Sequence, residues 1–213
     1  SGKTMVYIRL AQLLLARGKS VMILVPEIAL TPQMMARFTA YFGAQVALLH
    51  SGLRMTERYD QYKRIRRGEA RVVIGARSAV FAPCERLGII IIDEEQEHTY
   101  KSEAAPRFHA RDAARFRAAK NNALLLLCSA TPSIESYAKA GEGKYTLAKI
   151  TKRYNDAPLP KVETVDMREE IRQGNLTMIS GRLLSLLEQK LSQHKQSILL
   201  LNRRGYNTHI TCV

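Results

Sequence analysis

The chain has 213 residues, 46% of them hydrophobic and 24% charged, an ordinary globular composition with ample material for a core. No apolar run approaches the roughly 20 residues that cross a bilayer, and no signal-peptide pattern opens the sequence, so no membrane role is expected. Thirty-three Lys and Arg against 19 Asp and Glu leave a net charge of +14, which favours a polyanionic partner, nucleic acid ahead of membrane. Three cysteines, Cys84, Cys128 and Cys212, are too few and scattered for a disulfide framework and fit a reducing cytoplasm.

Residues 3 to 17 place Val6, Leu10, Leu13 and Leu14 at helical spacing, and Gly18 stands where a helix ends. Residues 21 to 25 predict a buried strand closed by Pro26. Thr31-Pro32 supplies a cap and a first-turn proline for a helix to about Phe42. A strand over 45 to 49 leads to His50-Ser51-Gly52, followed by a basic amphipathic helix over about 56 to 67 and a strand over 71 to 74. Four consecutive isoleucines, 89 to 92, predict a strand buried on both faces, as in a parallel sheet. That strand breaks without a spacer into Asp93, Glu94 and Glu95, where open α/β sheets place their ligands. Three adjacent carboxylates repel one another unless a positive group is held there. After a polar stretch from Gln96 to about Arg107 come a helix from about Ala110 to Lys120 and a strand over 124 to 127. Thr131-Pro132 then predicts a helix to about Ala140. Strands alternating with helices in this way predict a doubly wound, mostly parallel α/β sheet over residues 1–150.

Gly141, Gly143, Asn155, Pro158, Pro160 and Gly174 interrupt short, weak strands, which predicts a connector over 151–179. Ser180 then caps a helix through about Gln193 with Leu183, Leu184, Leu187 and Leu191 on one face, and a strand follows over 197 to 201. Residues 180–213 are expected to begin a second α/β lobe. Opening inside a motif without Met, and stopping after a strand-like segment, the sequence is expected to be an internal fragment.

Ser1-Gly2-Lys3-Thr4 at the head of a helix matches the second half of a phosphate-binding loop. Backbone N–H groups there attract anions, Lys3 would reach the terminal phosphates and Thr4 would ligate magnesium. Paired with it, Asp93 would hold magnesium and Glu94 would position or deprotonate the attacking water, a nucleoside triphosphatase arrangement. Cys128-Ser129-Ala130-Thr131 ends the leucine strand, and its hydroxyls could bond the acidic cluster and relay nucleotide state.

Gly-Lys-Thr, Asp-Glu-Glu and Ser-Ala-Thr in this order resemble motifs I, II and III of superfamily 2 helicases. The stretches 24–33, 49–53, 74–83, 107–112 and 201–206 resemble motifs of one family within it, the bacterial replication-restart helicases called PriA or primosomal protein N′. The resemblance implies a RecA-like lobe over 1–150 and an ATP-dependent 3′-to-5′ DNA helicase acting at abandoned forks. Gly2, Lys3 and Thr4, with Asp93, Glu94, Glu95 and Gln96, would be its nucleotide motifs. Pro26, Glu27, Thr31, Gln33, Arg77 and Ser78 would line the single-strand path. Residues 96–111 would form an aromatic-rich loop coupling DNA to ATP, with Tyr100 and Phe108 as stacking faces and Lys101, Arg107 and Arg111 as cations. Ser129 and Thr131 would relay nucleotide state.

The sequence departs from the family pattern where Gln96, Ala76 and Cys128 stand in place of His, Thr and Gly. Cys212 coincides with the first cysteine of the family's zinc-binding insertion, which one thiolate cannot complete; zinc is expected only in the full-length protein. The resemblance further implies primosome proteins and single-strand-binding protein as partners and a bacterial cytoplasmic location. The chain alone is expected to be inactive for want of the second lobe's late motifs. A double-strand translocase and a non-enzymatic fork-binding scaffold are the alternative functions.

Overall fold

The computed structural model describes residues 2–151 and 160–200. Two units divide the chain, residues 1–157 and 158–213. In the first, the elements follow as α1 (Lys3–Ala16), β1 (Ser20–Leu24), α2 (Pro32–Phe42), β2 (Val46–Leu49), α3 (Met55–Arg66) and β3 (Val72–Gly75). Then come β4 (Leu87–Ile92), α4 (Ala110–Lys120), β5 (Leu124–Leu127) and α5 (Ile134–Gly141). The local chemistry matches this order. Gly18 adopts φ +67° directly after α1, a backbone that costs glycine little. Thr31 caps α2 by accepting from Met34 N at 3.2 Å, with Pro32 in the first turn.

The five strands form one all-parallel sheet in the order β2-β3-β1-β4-β5. Alternation sends Met22, Leu24, Ile90 and Ile92 to one face, where α3 and α4 add Ile65, Ala110, Ala114 and Ala118. Val21, Ile23, Ile89 and Ile91 go to the other, beneath Tyr7, Ile8 and Ala11 of α1 and Phe38 and Phe42 of α2. All four isoleucines of β4 are fully buried, each contributing about 1.5–3 kcal/mol of apolar burial. From β1 the chain runs to the edge strand β2, returns to insert β3 between them, then crosses to add β4 and β5 on the other side. The carboxyl ends of β1 and β4 are therefore the switch point where such sheets bind ligands. Asp93 N donates to Leu24 O there at 2.9 Å.

Three expectations are corrected. Helix α5 begins at Ile134 behind Ser133, whose hydroxyl accepts from Ser136 N. Thr131 does not open it: the cap falls two residues later at Ser133, and the Thr131 N–H is bonded back to Ser129 Oγ. The connector holds no strand among its described residues but a helix, α6 (Met167–Arg172), capped by Asp166. Residues 197–200 are not a strand. Ile198 and Leu200 are more than nine-tenths exposed, and no described strand of their unit lies beside them to take up the backbone groups. Ser180 does cap α7 (Gly181–Ser192), accepting from Leu183 N. Within this second unit Glu170 accepts from Gly181 N at 2.9 Å, and Arg182 forks onto Glu163 at 2.8 and 3.1 Å. Leu201 and Asn155 lie outside the described residues.

Gly75 ends β3 where a Cβ would stand 2.3 Å from Leu49 O and 2.6 Å from the Ala79 methyl. Gly75→Ala should lower the unfolding free energy by about 1–3 kcal/mol. Gly141→Ala, facing open space in α5, should leave it equal or raise it by about 0.5–1 kcal/mol. Urea midpoints at constant m value check both.

Candidate active site

Lys3, in the first turn of α1, meets the carboxylates at the end of β4. Its Nζ donates to Glu94 Oε1 and lies 3.3 Å from Asp93 Oδ1. Asp93 Oδ1 also accepts from the Tyr7 hydroxyl at 2.7 Å and from Glu94 N at 3.0 Å. The Asp93 carbonyl accepts from the Tyr100 hydroxyl at 2.6 Å. Glu94 sits at φ +45°, a conformation that bulky side chains adopt only when surroundings enforce it. Gln96 bridges onward, donating to Glu94 Oε2 at 2.9 Å and accepting from Ser129 Oγ at 2.6 Å. Ser129 Oγ in turn accepts from Thr131 N at 2.8 Å. Bonds spanning 91 and 33 residues of sequence thus join the three motifs into one continuous hydrogen-bonded chain.

Opposed charges dominate the titration behaviour. Burial raises the Glu94 carboxyl, but the Gln96 bond and the Lys3 ammonium outweigh it, and the net shift is downward. Burial likewise pulls Lys3 down, and its bond to Glu94 with the charges of Asp93 and Glu94 reverses the sign. Both groups stay charged at neutral pH. The Tyr7 hydroxyl is pushed far up, first by burial and then by Cys128 and Asp93, so it remains a donor.

Among the described residues, Asp93 Oδ2 accepts from no donor. With the half-buried Thr4 beside Lys3, it offers the hard oxygen ligands that magnesium takes alongside water and phosphate. The described residues contain no cluster of three or more His, Cys, Asp or Glu that could hold a metal ion. The donor set suits a cation shared with a phosphate, not a structural metal. Gly2 is exposed and precedes α1, its carbonyl accepting from Met5 N.

Several sequence-derived roles change. Glu95, expected at the nucleotide, is 3% exposed and turned away from it. Its carboxylate accepts from Arg111 Nη1 at 3.0 Å, Ser133 N at 2.7 Å, Ser133 Oγ at 3.1 Å and Ser136 Oγ at 2.9 Å. Arg111, expected to meet DNA, is committed to this network, which joins the starts of α4 and α5. Tyr100 is 1% exposed and offers no stacking face. Arg77 Nη1 donates to Thr99 O at 3.1 Å and to Lys101 O, bracing the loop around Tyr100. Glu27 accepts from Ser51 N and Ser51 Oγ, tying the ends of β1 and β2 together. That bond, above all, holds the Glu27 carboxyl below its usual range.

Other candidates remain open to a ligand. Phe108 is half-buried and meets Phe81 edge to face, centroids 4.9 Å apart, with the Arg77 guanidinium 5.9 Å from its ring. Lys101 and Arg107, both exposed, line the same cleft of about 530 Å³. Ser78 is exposed, but Pro26 is buried and offers no face to a ligand. Thr4, Thr31 and Gln33 line a second open cleft of about 610 Å³ with Met34 and Arg37. Cys212 lies outside the described residues. Sequence reasoning missed Tyr7 and Phe81. Tyr7 stands four residues after Lys3, one turn along the same helix face, and a polar tip on an apolar face was the available signal.

Residues 1–140 match the family described as DEAD/DEAH box helicase. The chain is 50% identical over 212 residues to replication restart protein PriA of Bacillus subtilis (strain 168), covering 100% of this chain and 26% of that protein. The protein of that name from Treponema pallidum (strain Nichols) is 43% identical, covering 100% and 32%, and that from Synechocystis sp. is 42% identical, covering 100% and 26%. The chain spans about a quarter to a third of the length of these curated relatives. A solved structure of RecG bound to a three-way DNA junction aligns with 67% of this chain and 18% of its own, at 26% identity and TM-score 0.47.

Truncating Glu95 to Ala strands the largely buried Arg111 guanidinium, and stability should fall by about 3–5 kcal/mol. Glu95→Gln, which can still accept from the serines, should cost less in the same thermal unfolding series. The Lys3–Glu94 pair is predicted to make stability pH-dependent, and its acid limb comes from Glu94. Its contribution is full above the ordinary carboxyl value of 4.5 and is lost as the pH falls through the lowered folded value. Lys3→Met should flatten that acid limb in denaturation curves collected from pH 3 to 7.

Proposed function

Since the chain belongs to the DEAD/DEAH box helicase family, we propose that the whole protein is an ATP-dependent 3′-to-5′ DNA helicase of replication restart. It would act in primosome assembly at stalled forks, with single-strand-binding protein and primosome proteins as partners, in the bacterial cytoplasm. The observation that carries this reading is Lys3 gripped by Asp93 and Glu94, with Gln96 joining Glu94 to Ser129. The similarity to replication restart protein PriA along the whole chain supports the same reading. Residues 1–150 act as the first RecA-like lobe, 151–179 as a connector, and 180–213 as the start of the second lobe.

Before nucleotide binds, Lys3 neutralises the two carboxylates. ATP draws its ammonium onto the terminal phosphate oxygens and frees Glu94 Oε1 to orient the attacking water and accept its proton. Asp93 and Thr4 would hold magnesium, which would neutralise charge developing on the transferred phosphoryl group. Release of Lys3 leaves Glu94 joined to Gln96 and Ser129, so the nucleotide state is felt at the end of β5. DNA enters the same circuit from the opposite direction. Bases stack at Phe108 while Lys101 and Arg107 meet phosphates, and Tyr100 carries any shift of that loop to the Asp93 carbonyl.

Lys3→Ala in the whole protein should cut DNA-stimulated ATP turnover at least about 100-fold while DNA affinity stays within about 3-fold. The wild type should displace a strand from a duplex with a 3′ single-stranded tail and not from a blunt one. ATP turnover insensitive to Lys3→Ala would refute the nucleotide site, and displacement requiring a 5′ tail would refute the polarity.

A further inference from the structure

Asp93 is held more firmly than a metal-binding carboxylate needs for charge alone. Its Oδ1 takes three donors, the Tyr7 hydroxyl at 2.7 Å, Glu94 N at 3.0 Å and the Lys3 ammonium at 3.3 Å. Two of those three are conditional. The Lys3 ammonium leaves when a phosphate arrives, and Glu94 N belongs to the residue in the strained left-handed conformation. Only Tyr7 is fixed independently. It is 1% exposed, packed with Ile8 and Ala11 between α1 and the sheet, and its ring belongs to the core cluster holding Ile89 and Ile91. A side chain so confined cannot follow Lys3 when it moves, so its hydroxyl is a stationary donor. Cys128, just past the end of β5, packs against the same cluster.

We propose that Tyr7 is a positioning residue for the cation site: it pins Asp93 Oδ1 against the sheet and keeps Oδ2 turned out as the cation ligand. Cys128, packed against the same core cluster, steadies that pin. This rests on the nucleotide-site reading above and adds to it a residue that contacts neither nucleotide nor cation. Partners of this kind, bonded to a liganding carboxylate, are worth about 10- to 100-fold in metal affinity. Replacing tyrosine by phenylalanine keeps the packing and removes one donor. What it releases is the second carboxylate torsion, free to rotate Oδ2 away once Lys3 has gone to phosphate.

The test is the Mg²⁺ concentration that half-saturates binding of a fluorescent ADP analogue to the whole protein, with the affinity in EDTA measured alongside. For Tyr7→Phe the half-saturating Mg²⁺ should rise about 10-fold, with the EDTA affinity unchanged. Cys128→Ala should shift it the same way by about 2- to 5-fold, and Cys128→Ser should restore it. Should Tyr7→Phe fail to fold, the two Cys128 variants decide the matter alone. An unchanged Mg²⁺ requirement in the folded variants overturns the proposal. So does an equal loss of binding with and without Mg²⁺, which marks a packing role only. A wild type that binds no nucleotide under either condition overturns the nucleotide-site reading, and this proposal with it.

Discussion

The whole arrangement depends on burying β4 on both faces beside β1. A strand of four isoleucines has no solvent side, so the chain can turn polar only where the sheet ends. There Asp93 and Glu94 emerge together at the switch point between β1 and β4. Two carboxylates side by side are tolerable because α1 delivers one ammonium between them. Lys3 and Glu94 each shift the other toward its charged form, so the triad is both a structural clasp and a reservoir of charge. A phosphate competes for the same lysine. That competition is the physical basis of a switch, since the clasp cannot be closed on the carboxylates and on a ligand at once.

Around that clasp the structure separates groups that stay from groups that move. Glu95, adjacent to the pair, is spent on Arg111, Ser133 and Ser136. Its buried carboxylate is matched by donors from three places, which anchors the starts of α4 and α5 and defines where the loop of residues 96–109 must begin and end. Tyr100 and Arg77 then hold the interior of that loop from opposite sides, one through the Asp93 carbonyl and the other through two backbone carbonyls. Phe108 with Phe81, Lys101 and Arg107 line its cleft, beside the exposed His98, Thr99 and residues 103 to 106. The loop is thus rigidly connected to the acidic strand end while presenting aromatic and cationic groups to solvent.

Most of the sheet lobe was legible in the sequence because periodicity and caps are local. The five strands and the helices between them fall within a residue or two of the apolar runs, Thr31-Pro32 and Gly18 at their expected places. Where local signals misled, a longer-range requirement had prevailed. Thr131-Pro132 looked like a helix start, but Ser133 took the cap while the Thr131 N–H turned back to Ser129. Residues 197–200 had a strand's composition without a described neighbour to pair with. The helix Met167–Arg172 is too short and polar for periodicity to reveal.

By itself the sequence determined the chemistry available: a lysine at a helix start, carboxylates after a buried strand, hydroxyls after another, and a positively charged surface. These follow from residue type and short spacing, which the backbone must respect in any fold. Only the tertiary structure decided the partners. Which carboxylate meets Lys3 and which is buried against Arg111 depends on how three adjacent side chains leave a turn held at φ +45°. Whether a tyrosine stacks on a base or anchors Asp93 depends on what packs over its ring. Tyr7 carries no motif. It became part of the site because the parallel pairing of β1, β4 and β5 brings its helix over the end of the acidic strand.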